Sequence, residues 1–358
     1  MKKLIPFIAA GLFLLLFAAC AEIPTLPAVI PPDPEGVTEP TTWGDSVEVY
    51  GSIDKAPFLT PLDIPDFVKV KVSIPEYLGE DLGKENFRVF EDGKAQGFLL
   101  FKETEKRSAV DIMLIIDTTG SMYNAIDGVK ASIVDFIDSL KSSGMDVRVG
   151  VVPFDDAAPS RDLYIDTTNR TWQDLTDLDT AEAYVNQLYA TGGGDGPENP
   201  YAGVMYAWEN ASWRRGAQKI FILITDASAH DPDDPGDASG EPLYYKSDVI
   251  GAIKGFATLH AVVVPGWYYS ESDTDFTSYD DVREIAVETG GLVYYTDYYG
   301  NVDLTTIGVI EYVESSWVIV FESDSPEETH NVDVYFDGDG SEYTTDDQGA
   351  LHLVGVVY

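Results

Sequence analysis

From residue 108 to about 314 the chain alternates two kinds of apolar pattern, and this alternation constrains its fold most. Apolar runs of strand length are Val110–Ile116, Val147–Val152, Ile220–Ile224, Ala261–Val264 and Leu292–Tyr295. Between the first two, Ile126, Val129, Ile133, Phe136, Ile137 and Leu140 fall on one helical face, and Gly144 supplies a stop. Asp179-Thr180-Ala181-Glu182 reads as a capping box for a helix to Ala190. Asn199-Pro200 reads as the N-cap and first position of a helix through Trp208. Strands alternating with helices imply an α/β fold: a doubly wound, mostly parallel sheet covered on both faces.

The flanks follow another period. In 46–107, Val68-Lys69-Val70-Lys71-Val72 and Phe87-Arg88-Val89-Phe90 alternate with period two, and Glu91-Asp92-Gly93-Lys94 reads as a hairpin turn. In 315–358, Trp317–Phe321, Val332–Phe336 and Leu351–Val357 are strand-like. One economical arrangement joins both flanks in a small β-sandwich with the α/β domain of 108–314 inserted between them; the other keeps two separate β appendages.

The N-terminus reads as an export signal over 1–19. Lys2 and Lys3 precede an uncharged apolar run, Leu4 to Ala19, which is short for a membrane span. The sequence Leu16-Phe17-Ala18-Ala19-Cys20 resembles a bacterial lipobox, which implies cleavage before Cys20 and lipid attachment to its sulfur. Cys20 is the only cysteine, so no internal disulfide is available to it. Residues 20–45, rich in proline, read as an extended tether. This implies a bacterial cell-envelope protein, lipid-anchored, at the surface or in the periplasm.

The chemistry concentrates after the strands. Asp117-Thr118-Thr119-Gly120-Ser121 follows the first run directly, Thr191-Gly192-Gly193-Gly194-Asp195-Gly196-Pro197-Glu198 precedes a helix, and Ile222-Leu223-Ile224-Thr225-Asp226 ends a second run in a carboxylate. Carboxylates with hydroxyls are ligands for a hard cation. The pattern D-x-[ST]-x-S, with the two later loops in this order, resembles the metal-ion-dependent adhesion site of von Willebrand factor A-type domains over roughly 200 residues. That resemblance implies one Mg²⁺ (or Mn²⁺ or Ca²⁺) held by Asp117, Thr119, Ser121, Glu198 and Asp226. In many such domains a threonine fills the second-loop position, which here is Thr191. Asp195-Gly196-Pro197-Glu198 instead resembles the integrin β-subunit version. Asn124 and Ala125 stand where integrin β-subunits carry a pair of carboxylates, so the calcium site beside the main one is expected to be absent. Asp156 and Asp195, with Glu198, are candidates for the other flanking site, although Gly193 lacks the amide side chain expected there.

The resemblance further implies that an Asp or Glu carboxylate of a partner protein completes the ion's coordination. Trp267, Tyr268 and Tyr298 fall in loops at the same strand ends and are candidates for contact with that partner. The acidic stretches 231–235 and 337–340 are candidates for Ca²⁺ binding, but they match no EF-hand spacing and read first as solvated turns. A net charge of −40 excludes a nucleic-acid-binding role built on a basic patch. There is no H-E-x-x-H, G-x-S-x-G or P-loop lysine, so the chain does not read as an enzyme. The alternatives are a structural envelope protein whose ion only braces the fold, and a metal-dependent hydrolase.

Overall fold

A computed structural model of the chain describes residues 30–57, 66–156, 172–194, 196–233, 242–265, 280–297, 299–340 and 346–358. The N-terminal flank supplies β1 (Tyr50–Ile53), β2 (Phe67–Ser73), β3 (Phe87–Glu91), β4 (Lys94–Ala95), β5 (Phe98–Lys102) and the short α1 (Glu103–Lys106). The α/β domain follows with β6 (Ala109–Asp117), α2 (Tyr123–Ser142), β7 (Asp146–Phe154), β8 (Gln173–Thr176), α3 (Leu178–Val185), α4 (Pro200–Asn210) and β9 (Gln218–Thr225). It continues with α5 (Lys246–Ile253), β10 (Thr258–Val263), α6 (Arg283–Thr289), β11 (Val293–Tyr295) and α7 (Val309–Glu314). The chain ends in β12 (Ser316–Glu322), β13 (His330–Asp337) and β14 (Gln348–Val356).

The central sheet has the order β11-β10-β9-β6-β7-β8, parallel throughout except for the antiparallel edge strand β8. The doubly wound α/β class expected from the pattern is the fold observed. β6 shows why its residues are apolar at consecutive positions. Val110, Ile112, Leu114 and Ile116 join the core under α2, α3 and α7, while Met113 and Ile115 join the core under α4, α5 and α6. The six apolar residues of the α2 face are all at most 2% exposed. Each contributes about 1.5–3 kcal/mol by that burial. α2 stops at Gly144, whose φ of +74° is the left-handed conformation a side chain disfavours.

Local boundaries differ from expectation in two places. The cap of α3 is Asp177, whose side chain accepts from the Thr180 amide, and the helix ends at Val185 rather than Ala190. Asp177 offers an acceptor three residues before Thr180, and the sequence reading placed the cap two residues late. α7 starts at Val309, directly after Gly308, whose left-handed φ of +85° caps it. β8 was not foreseen: Gln173-Asp174-Leu175-Thr176 is short, mostly polar and without period.

The flanks form two four-stranded sheets, β1-β2-β12-β5 and β14-β13-β3-β4, each mixing strands from before and after the α/β domain. Val68, Val70 and Val72 meet Phe87, Val89, Ile319, Phe321, Val332, Val334 and Phe336 in one core. The hairpin of β3 and β4 closes on Asp92 (φ +48°) and Gly93 (φ +78°), the left-handed pair its tight turn demands. Lys69 and Lys71 are buried, not solvated. Lys71 Nζ pairs with Glu103 at 3.1 Å and lies over the Tyr312 ring, on the side facing the α/β domain. Arg107 joins Asp54 at 2.8 Å and Glu103 at 3.0 Å in the same buried network.

The described part of the proline-rich segment, residues 30–45, lies on the sandwich. Ile30 is buried, Thr38 bridges to Lys94, the Gly97 amide donates to Asp33, and Trp43 Nε1 donates to the carbonyls of Phe336 and Gly349. Among the described residues, no helix is long and apolar enough to cross a membrane.

Candidate functional site

The winding of the sheet opens a crevice. From β6 the chain crosses through α2 to β7 on one side, while β9 lies against the other side of β6 and leads on to β10 and β11. The connections therefore diverge at the carboxyl ends of β6 and β9, the place where open α/β sheets leave room for a ligand. Asp117 is the last residue of β6, and Asp226 follows the last residue of β9.

Local hydrogen bonds fix these loops. Asp117 Oδ1 accepts from the Thr119 amide (2.9 Å) and hydroxyl (2.7 Å), and its Oδ2 accepts from Thr225 Oγ1 (2.7 Å). Thr119 Oγ1 lies 3.3 Å from Ser121 Oγ, which donates to Asp226 Oδ1 at 3.0 Å. A chain of oxygens thus runs Asp117–Thr119–Ser121–Asp226. The second loop is pinned against the first by Thr191 N to Thr118 O and Gly120 N to Gly192 O. Glu198 is held against the loop after Asp226: its amide donates to Ser228 O and its carbonyl accepts from His230 N. Its carboxyl faces the Thr119 hydroxyl and the Asp156 carboxylate. Gly193 is a close neighbour. A Cβ built there would stand 3.4 Å from both Glu198 Oε1 and Thr119 Cβ.

The structure therefore gathers Asp117, Thr119, Ser121, Glu198 and Asp226, with Asp156 beside Glu198. Thr191 joins the group through its backbone. Asn124 spends its side-chain amide on the Tyr299 carbonyl at 2.9 Å. Asp195, Trp267, Tyr268, Tyr298 and Cys20 lie outside the described residues, as does much of 231–235. Thr225 was missed as a member of the site. Its signal was present, a hydroxyl one residue before Asp226 on the strand beside Asp117.

The electrostatics are those of crowded acid. Asp117 and Glu198 are buried, and none of the ion pairs among the described residues involves Asp117, Glu198 or Asp226. Burial, with the charge of Asp226 added, pushes the Asp117 carboxyl up to about 7. Burial, then the charge of Asp117, pushes Glu198 up to about 11. Glu198 Oε2 and Asp156 Oδ1 are buried without a hydrogen-bond partner. Buried carboxylate oxygens without donors, beside two hydroxyls and no base, fit a hard divalent cation.

Two other clusters test that reading. Among the described residues, the three acids whose ligand atoms converge within 4.8 Å are Asp337, Asp339 and Asp347, in the sandwich. Ser325, His330 and Asp92 stand in a row that imitates a hydrolase triad. His330 Nδ1 faces Asp92 Oδ2 at 2.7 Å, and its Nε2 faces the Ser325 carbonyl at 2.8 Å. An acceptor at each nitrogen favours the ring that carries both protons. That ring has no lone pair with which to take one from Ser325 Oγ, 3.5 Å away.

Comparison with known proteins agrees with the fold. A family model described as von Willebrand factor A domain matches residues 111–298. An alpha-protein kinase, vwkA, of Dictyostelium discoideum is 30% identical over 153 residues, 42% of this chain and 23% of that protein. The chain thus spans about a quarter of this relative's length. The pilus adhesin SpaC from Lactobacillus rhamnosus GG superposes with a TM-score of 0.40 at 12% identity, covering 90% of this chain and 43% of the adhesin. Its open conformation gives 0.39 at 13% identity, over 78% and 35% of the two chains.

Proposed function

We propose a function from one premise: this chain belongs to the von Willebrand factor A domain family, whose pattern takes in residues 111–298, more than half of it. Its α/β domain is a cation-dependent protein-binding module. The Thr119 and Ser121 hydroxyls and the Glu198 carboxylate are the direct ligands of Mg²⁺, with Mn²⁺ or Ca²⁺ as alternatives. Both oxygens of Asp117 are already engaged by Thr119 and Thr225, so Asp117 acts from behind, orienting the hydroxyls. Asp226 orients Ser121 in the same way. Bound there, the ion would offer an open position to an Asp or Glu carboxylate of a partner protein. The observation that carries this reading is the convergence of three loops on buried carboxylate oxygens that no base among the described residues neutralises.

In this reading the chain holds a partner and does not turn over a substrate. Its lipobox-like end makes Cys20 the lipid anchor and places the module at a bacterial cell envelope. Intact-mass measurement of the membrane-extracted protein tests the anchor: a mass without lipid on a chain beginning at Cys20 would refute it.

Thermal unfolding in EDTA, Mg²⁺, Mn²⁺ and Ca²⁺ tests the site. An ion at about 100 times its Kd adds roughly 2.7 kcal/mol to whatever unfolds with the site. Absence of any shift removes the cation reading. A shift without cation-dependent capture of any envelope protein leaves only a bracing ion.

A further inference from the structure

The rim of the candidate site carries a charge pattern that specifies its partner. The described loop residues at this end are 118–122, 155–156, 190–194, 196–199, 226–233, 242–245, 264–265, 280–282, 296–297 and 299–301. They hold nine carboxylates and no lysine or arginine. Lys246 and Arg283, the first bases beyond them, are buried and paired with Glu284 and Asp281.

Bases concentrate at the opposite end of the sheet. Arg107, Arg148, Arg214, Arg215, Lys219 and Lys254 stand at or just before the first residues of the strands. Arg107 is paired there with Asp54 and Glu103, Arg214 with Asp111 and Asp146, and Lys254 with Glu288, so the candidate-site end stands apart by the lack of lysine and arginine in its described loops. Two tyrosines stand out at that end. Tyr123, directly after the Ser121 loop, is 64% exposed, and Tyr299, whose carbonyl holds Asn124, is 72% exposed. The unpartnered oxygens of Glu198 and Asp156, in side chains more than nine-tenths buried, belong to loops at the same end.

We propose that this face receives a basic protein segment, in which the Asp or Glu that completes the site is flanked by arginines. The proposal rests on the cation-site reading above and adds the partner's chemistry to it. A like-charged partner is repelled before it docks, whereas a basic one is steered in by the acidic rim. Arginine suits the rim better than lysine, because its planar fork pairs with carboxylates and stacks on tyrosine rings.

The test uses the full chain in detergent and three synthetic peptides on a glycine-serine backbone: a central Asp flanked by arginines, the same Asp flanked by glutamines, and a central Asn flanked by arginines. Binding is read by biolayer interferometry in Mg²⁺ and in EDTA, with thermal unfolding in the same buffers. The Arg-flanked Asp peptide is expected to bind at least about tenfold tighter than the Gln-flanked one, a difference of about 1.4 kcal/mol. Its affinity should fall with added salt and with Asp233→Asn, while the Mg²⁺-dependent thermal shift persists. Equal affinity of the two Asp peptides overturns the basic partner, as does failure of all three to bind while that shift persists. Equal binding of the Asn and Asp peptides, unaffected by EDTA, supports the basic partner and removes the cation reading instead.

Discussion

Thr225 and Asp117 end neighbouring parallel strands and share a 2.7 Å hydrogen bond from Thr225 Oγ1 to Asp117 Oδ2. The same hydroxyl accepts from the Ala227 amide at 3.1 Å, so one side chain ties the carboxylate to the start of the Asp226 loop. Thr225→Val removes the donor and leaves a buried carboxylate oxygen unmet. The expected loss is about 1–3 kcal/mol in EDTA, read by urea denaturation. Thr225→Ser should restore most of it; a Ser variant as weak as Val would mean that packing, not the hydroxyl, matters.

Removing acid from the site should have opposite effects with and without the cation. Asp226→Asn keeps an oxygen for Ser121 to donate to but deletes one of the unneutralised charges. In EDTA the variant is expected to unfold at the same temperature as the parent or higher. In saturating Mg²⁺ the parent gains roughly 2.7 kcal/mol at about 100 times Kd, and the variant gains little. A variant less stable in both conditions would show that Asp226 serves the fold alone.

At the junction with the sandwich, Arg107 neutralises Asp54 and Glu103 where all three side chains are at most 5% exposed. Arg107→Ala leaves two carboxylates buried beside Lys71. It should cost about 3–5 kcal/mol in equilibrium denaturation. A loss under about 1 kcal/mol, the range of exposed pairs, would show that water reaches the network.

His330 gives the sandwich a pH dependence. Burial pulls its pKa down, but the Ser325 carbonyl and the Asp92 carboxylate raise it further, and the net is above the ordinary value. A raised folded pKa stabilises fully below the unfolded value of about 6.5, and the contribution is lost as pH rises through the folded pKa. The stability difference between the parent and His330→Gln should therefore be largest below about pH 6.5 and shrink in alkaline buffer. A difference that grows with pH would contradict the doubly protonated ring.

Gly290 has a φ of +75°, and a Cβ there would fall 2.4 Å from the Gly51 carbonyl carbon and oxygen. Gly290→Ala adds left-handed strain to this overlap. A loss well above about 1 kcal/mol is expected in denaturant titration. An alanine variant of parental stability would mean that the two domains part easily at this point.

Much of the α/β domain was legible because its strands are apolar on both faces and its main helix has one clean apolar face. Asp117, Thr119, Ser121 and Asp226 could be read because they lie at or shortly after a strand end. Glu198 was harder, since its place depends on a glycine-rich loop folding back over Thr118 and Gly120. The sandwich pairing lay beyond local reading: Val72 and Trp317 are register partners although the whole α/β domain separates them. The buried lysines of β2 were also hidden. Alternation with valine suggests solvent, and only the packing of a second domain makes that face an interior. Ile30 and Trp43 show the same limit, because proline content describes a chain's stiffness and not what it leans against.

β6 begins at the sandwich and ends in Asp117, with β7 and β9 paired along both of its edges. Under the proposed function, a partner held at the carboxyl end would pull along this strand against the sandwich at its other end. Tension in that direction loads two rows of hydrogen bonds in shear, so that they must fail together; a pull across the sheet would peel them one at a time. The topology that opens the crevice thus also makes the domain mechanically stiff along the line from candidate site to sandwich.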